Sequence, residues 1–278
     1  MYLSIQKLKS LIVLIGILAI GHNLVAQAKK NAISIGPATL YYTLDKGRTA
    51  TQTIYITNKL NRPYSFSLEL IDWGLDSAGE DVFYDAGTRP HSCAKWISLD
   101  KTFVEIPANS KEPVNVKLQV PDSADAIKEI KWTMLHIVTT GEKKAPKKSG
   151  SVELALTKSL AVGVRIYQVP PANVALTKEV KMRSFEMLSD SVTYRIESEN
   201  VGGMLLRCLY SIELSSEATG EKTTVGPKEA LLLPGQKRYI DLQMPKTLSK
   251  GKYMAVALID PNDDEVPLEA SQKEIEIR

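Results

Sequence analysis

The feature that most constrains this 278-residue chain is an alternation of apolar and polar residues that restarts repeatedly after short turn-rich breaks. Thr51 to Thr57 (TQTIYIT) is β-branched and is followed by turn residues from Asn58 to Pro63. Tyr64 to Ile71 alternates, Phe103 to Ile106 runs into Pro107-Ala108-Asn109-Ser110, and Val114 to Val120 (VNVKLQV) alternates without a fault. Trp132 to Val138 and the long Val152 to Tyr167 complete a first set. A second set comprises Ser191 to Ile196, Leu205 to Leu214, Arg238 to Met244, Tyr253 to Ile259 and Ile275 to Ile277. Side chains of a strand alternate between its faces, so a period of two with one apolar parity predicts sheets with one buried face. Only Asp122 to Glu129 offers a helical turn. Short strands separated by turn signals predict an all-β chain of packed sandwiches. With 44% hydrophobic and 24% charged residues, the chain has the composition to bury such cores.

The two sets meet at Val169-Pro170-Pro171-Ala172-Asn173. Consecutive prolines donate no ladder hydrogen bond and hold the chain extended, which suits a hinge. Two tandem β-sandwich domains are expected, 29–170 and 171–278, each long enough for its own core.

Residues 1–28 read as an address. Lys7 and Lys9 precede the apolar run Leu11 to Ile20, and Ala26-Gln27-Ala28 supplies the small-x-small pattern for cleavage near Ala28. An apolar run of about ten residues is too short to cross a bilayer and fits a signal peptide. No later stretch reaches transmembrane length, so a periplasmic or secreted product is expected. The full chain carries +3, two of those charges being leader lysines unopposed by any acid, which leaves +1 on the mature chain. That balance gives no electrostatic case for nucleic acid.

Chemistry-bearing residues are sparse. Beyond the leader, His91, His136, Cys93 and Cys208 are the only histidines and cysteines, which excludes a disulfide scaffold and multi-cysteine metal sites. The sequence holds no nucleophile elbow, zinc-protease helix, phosphate loop or dinucleotide fingerprint, so no enzyme and no cofactor is expected. His91-Ser92-Cys93 is a nucleophile–base pair without an orienting third group. Asp72, Asp76, Glu80 and Asp81 crowd one loop and Asp260, Asp263, Asp264 and Glu265 another, but neither has EF-hand spacing. Trp73, Trp96 and Trp132 either line a sugar site or fill a core.

The last strand of the first set is where function concentrates. Val152, Leu154, Leu156, Leu160, Val162, Val164 and Ile166 share parity, interrupted only by Lys158. About 15 residues would reach ~50 Å, well beyond a common strand. Either two strands or one bent strand pack this row on the core, or an edge strand presents Leu160, Val162, Val164, Arg165 and Ile166 to a partner's sheet. The preceding loop carries Lys143, Lys144, Lys147 and Lys148, which would blunt an open edge, meet an acidic partner or cell-wall polymer, or stay solvated.

The order GRTATQTIYITN, NRPYSFSLEL, VEIPANSKEPVNVKLQVP, WTMLHIVTT, a basic loop and LALTKSLAVGVRIYQVPP resembles the amino-terminal immunoglobulin-like domain of periplasmic pilus chaperones, the PapD-like superfamily. Pro37 to Thr49 is also similar to the opening strand of the extracellular domains of WxL-interacting proteins and related Bacteroidetes surface proteins. ENVGG, LLLPGQKR and LSKGKYMAVALID resemble the turns and strands of a fibronectin-type sandwich. The chaperone resemblance implies two immunoglobulin-like domains and a chaperone or assembly role exercised on envelope or secreted proteins by β-strand addition. It also implies a carboxylate clamp of two cations. Arg165, in RIYQVPP, matches one of them, while Leu40-Tyr41-Tyr42-Thr43-Leu44, where the other would stand, has no cation. The rival reading is a cell-surface or peptidoglycan-binding adhesion module.

Overall fold

The computed structural model describes residues 32–140, 160–189 and 192–277. The leader, the four loop lysines and the Val152–Ser159 part of the long apolar row lie outside the described residues.

The first sandwich is built from β1 (Ile33–Gly36), β2 (Thr39–Thr43), β3 (Thr49–Asn58), β4 (Tyr64–Leu75), β5 (Asp81–Asp85), β6 (Ile97–Leu99), β7 (Phe103–Ile106), β8 (Ser110–Gln119), β9 (Lys131–Thr139) and β10 (Ala161–Val169). One sheet has the order β1-β3-β8-β6; the other runs β2-β10-β9-β4-β5, with β7 also on β4. This is the immunoglobulin arrangement, with the first strand shared between the sheets. The sharing occurs at Gly36-Pro37, where the chain leaves β3 and enters the opposite sheet beside β10.

Alternation decides which face is buried. Ile54 and Ile56 of β3 lie opposite Val114 and Glu112 of β8 in register. Ile54, Ile56, Val114, Val116 and Leu118 are all fully buried between the sheets. Leu40, Tyr42, Phe66, Leu68, Leu135, Ile137, Val164 and Ile166 meet them from the other sheet. Tyr42 spans the gap by donating its hydroxyl to the Val116 carbonyl at 2.6 Å. Burial pushes that phenol up to about 12, keeping it a donor.

The second sandwich contains β11 (Val180–Met187), β12 (Thr193–Asn200), β13 (Leu206–Ser216), β14 (Lys222–Leu232), β15 (Lys237–Gln243), β16 (Gly251–Asp260) and β17 (Glu269–Ile277). Its sheets are β11-β12-β15 and β14-β13-β16-β17. A separate core of Ile196, Tyr210, Ile212, Leu214, Leu232, Ile259 and their neighbours lies between them.

A shared corner reveals that both sandwiches follow one plan. Asn58 ends β3, and its buried amide donates to the carbonyls of Arg62, Ile106 and Pro107 while its oxygen accepts from Leu60 N–H. Asn200 ends β12 and does the same with Met204, Leu232 and Gly202 N–H. A side-chain amide carries both donors and an acceptor, so it can satisfy the backbone of two converging segments where no ladder can form.

The two units meet on the outer face of the β2-to-β5 sheet. Trp73, Ile130, Trp132, Met134 and Tyr167 form one apolar cluster with Leu233, and Met204, Leu205 and Leu231 pack against it. Trp73 and Trp132 are therefore packing residues at this joint, and Trp96 packs against the first core. The expected helical turn is a single 3-10 turn at Ala124–Ile127, whose neighbour Ile130 donates its N–H to the Gly203 carbonyl across the joint.

A candidate partner-binding edge

β10 has two halves with different neighbours. Along its whole length it pairs antiparallel with β9, from Ala161 opposite Val138 to Gln168 opposite Lys131. On its other side it pairs parallel with β2, but only from Arg165 opposite Thr39 to Val169 opposite Thr43. Residues 161–164 have, among the described residues, β9 as their one strand neighbour. The cause is the crossing at Gly36-Pro37: upstream of it the chain belongs to the other sheet as β1, so that among the described residues no strand fills the lane beside 161–164.

The polarity of that lane follows from parity. Arg165 N–H donates to the Ala38 carbonyl on the β2 side. In an antiparallel pair, alternate residues turn both backbone groups to the same side. Gly163 and Ala161 therefore turn theirs into the lane, while Val162 and Val164 bond to β9.

The apolar row expected as a partner-facing face is divided by this geometry. Val164 and Ile166 are fully buried in the first core, so they are not a binding face, and that part of the expectation is corrected. They point inward because their parity turns them to the face that packs on Ile54, Val114, Val116 and Leu118 of the facing sheet. Val162 is partly exposed and Leu160 is 43% exposed, so the row surfaces only at the open end.

Arg165 stands where the open half ends. Its Nη2 donates to both carboxylate oxygens of Asp81, at 3.0 and 3.2 Å, and its guanidinium lies 4.5 Å from the centre of the Trp73 ring. A local acid thus occupies the residue that the chaperone resemblance assigns to a partner's carboxylate. Tyr167 follows on the same face, stacked on the half-exposed Tyr41 at 5.2 Å and edge-on to Trp73 at 6.2 Å. Its phenol is pushed up to about 12, chiefly by burial. Gly163 leaves room for the Met134 side chain, which lies across the strand at this point and would have to move aside for a Cβ.

The remaining candidates resolve into structural roles. Cys93 and Cys208 are free and fully buried. Burial pushes the Cys208 thiol up to about 12 and, with the Asp72 charge, moves Cys93 further in the same direction, so neither supplies a thiolate. Asp72 is itself buried and accepts from Thr88 N–H, Arg89 N–H and the Ser92 hydroxyl. It pins the segment that fills the split where β4 parts from β9. There Trp132 N–H donates to the His91 carbonyl.

Asp76 accepts from the N–H groups of Ala78, Gly79 and Glu80, and Asp263 pairs with Lys178 at 2.7 Å. No group of three or more metal-type side chains gathers among the described residues. His91 stacks on Trp132 at 4.7 Å, and its Nδ1 lies 3.2 Å from Glu129 Oε1 without hydrogen-bonding alignment. Burial lowers its pKa below the ordinary histidine value, against the opposing pull of Glu129.

No family model matches the sequence, and no curated protein matches it. Several solved chaperone structures align with this chain over most of its length. One match is a chain of the chaperone–tip adhesin complex of CFA/I fimbriae, with 8% identity and a TM-score of 0.48 over 87% of this chain and 98% of that one. Another is a chain of the CsuC–CsuE chaperone–tip adhesion subunit complex of Acinetobacter baumannii, with 11% identity and a TM-score of 0.46 over 88% and 97%. The YadV chaperone is 13% identical at a TM-score of 0.41 over 88% of this chain and 100% of its own.

Proposed function

We propose that this protein is a non-enzymatic binding protein of the cell envelope, acting as a chaperone or assembly accessory that accepts a strand of another envelope or secreted protein along the open half of β10. Residues 1–28 serve as a removed leader in this reading, with the boundary between the sandwiches at Pro170-Pro171. The observation that carries it is the lane beside the first half of β10, which no strand fills among the described residues: Ala161 and Gly163 turn N–H and C=O groups to a side where β2 has not yet begun. Each backbone hydrogen bond made there contributes about 0.5–1.5 kcal/mol net. Covering Leu160 and Val162 adds at most roughly 1.5–3 kcal/mol per side chain, offset in part by ordering the incoming strand. An acceptable segment is extended, with alternate small or apolar residues aimed at Val162.

Two substitutions test the reading. Ala161→Pro removes an N–H that faces the lane and leaves every bond to β9 in place; Ala161 is exposed, and proline is tolerated on sheet edges. Near-normal stability with loss of partner capture from the native envelope is the expected result. Val164→Glu, which puts a charge into the core, is expected to unfold the first sandwich. Undiminished capture by Ala161→Pro would remove the strand-addition reading, and undiminished sedimentation with purified peptidoglycan would then favour the adhesion module.

A further inference from the structure

The turn joining β4 to β5 reaches out of the first sandwich and grips the second. Tyr239 N–H of β15 donates to the Ser77 carbonyl at 2.9 Å. Gln236 donates its side-chain amide to the carbonyls of Leu75 and Asp76, at 3.3 and 3.1 Å. β15 ends its own sheet, and its ladder partner is β12 on the opposite side, so the turn extends that sheet at its edge. Gly79, at φ +91°, lets the Arg238 guanidinium lie flat on the turn; a Cβ would occupy the same space. Arg238 is held in turn by donating to the Leu231 carbonyl at 2.7 Å. The turn is pre-formed, because Asp76 Oδ1 accepts three of its own N–H groups at 2.8–2.9 Å. At its root Asp81 is paired with Arg165 of β10.

We propose that residues 75–81 form an interdomain strap that sets the orientation of the second sandwich relative to the face carrying Arg165 and β10. The apolar joint of Trp73, Trp132, Tyr167 and Leu233 supplies attraction, but burial of apolar surface is non-directional and leaves sliding and rotation open. Hydrogen bonds to Ser77, Leu75 and Asp76 are directional, and they fix the one register in which Arg238 meets a glycine. The strap thereby presents the open lane and the second sandwich to a partner as a single surface.

Residual dipolar couplings measured on the mature full chain test this, because each sandwich reports its own alignment. The unaltered chain is expected to fit one alignment tensor across both sandwiches. Gly79→Ala, which forces Arg238 off the turn, and Gln236→Ala, which removes two of the bonds, should each require two different tensors while amide shifts inside each core stay put. One tensor persisting in Gly79→Ala and Gln236→Ala would show that the apolar joint alone sets the angle, and two tensors in the unaltered chain would show that nothing does. Either result overturns the strap. The readout needs no partner, so it stands apart from the strand-addition experiments.

Discussion

Replacing Asn58 by alanine should cost the first sandwich more than any other single truncation of a polar side chain. The amide is fully buried and makes four hydrogen bonds, donating to Arg62, Ile106 and Pro107 carbonyls and accepting from Leu60 N–H. After Asn58→Ala those backbone groups remain in place with little access to water. Four bonds at about 0.5–1.5 kcal/mol each, with their partners left buried, put the loss at roughly 3–5 kcal/mol. A domain of ordinary stability holds only about 5–15 kcal/mol in all.

Asn58→Asp separates hydrogen bonding from packing. It keeps the shape and the acceptor for Leu60 N–H but turns a carboxylate oxygen toward three carbonyls, so at neutral pH it should be at least as damaging as alanine. The assay is urea denaturation followed by tryptophan fluorescence, since all three tryptophans belong to the first unit. The midpoint should fall with an unchanged slope. A loss below about 1 kcal/mol for Asn58→Ala would refute the reasoning, because it would mean that water or a shifted backbone satisfies those groups at little cost.

Three further outcomes follow, two from the structure and the last from the sequence. His91 has a lowered folded pKa, so the unfolded chain binds the proton more readily; stability should be full above the ordinary histidine value of about 6.5 and decline as pH falls through it, and His91→Phe should flatten that decline in thermal melts from pH 7.5 to 5. Cys93 and Cys208 should react with a thiol reagent only at the rate of unfolding, and fast reaction in the native protein would contradict their burial and raised pKa values. Exported protein should begin between Gln27 and Lys29, and an intact mass retaining Met1 would contradict the leader reading.

The strands that could be read from the sequence are those whose inward parity never breaks. Val114, Val116 and Leu118 kept theirs and are fully buried. Strands with a bulge were missed for that same reason. In β11 the register shifts between Met182 and Ser184, so inward residues change from Val180 to Phe185 and the period of two is lost. In β14 the inward residues change parity around Gly226-Pro227, from Val225 to Ala230 and Leu232, and a glycine–proline pair reads as a turn. The candidate edge was legible only in part. Arg165 and the apolar row stood out, but Asp81 lies 84 positions from Arg165 and reads as part of an acidic loop. Nor does alternation say which parity faces the core when both sides of a strand have neighbours. The open half of β10 depends on where β1 changes sheets, a choice made in the opposite sheet and invisible in residues 160–169 themselves.

The central claim concerns two backbone amides, and hydrogen exchange resolved to single residues reads them directly. In the free mature chain the N–H groups of Ala161 and Gly163 should exchange rapidly, while those of Val162 and Val164, bonded to β9, exchange slowly. In the complex captured from the native envelope, Ala161 and Gly163 should become protected and the β9-side pattern should stay unchanged. Protection of both amides in the free chain, or continued rapid exchange in the complex, would contradict strand addition at β10.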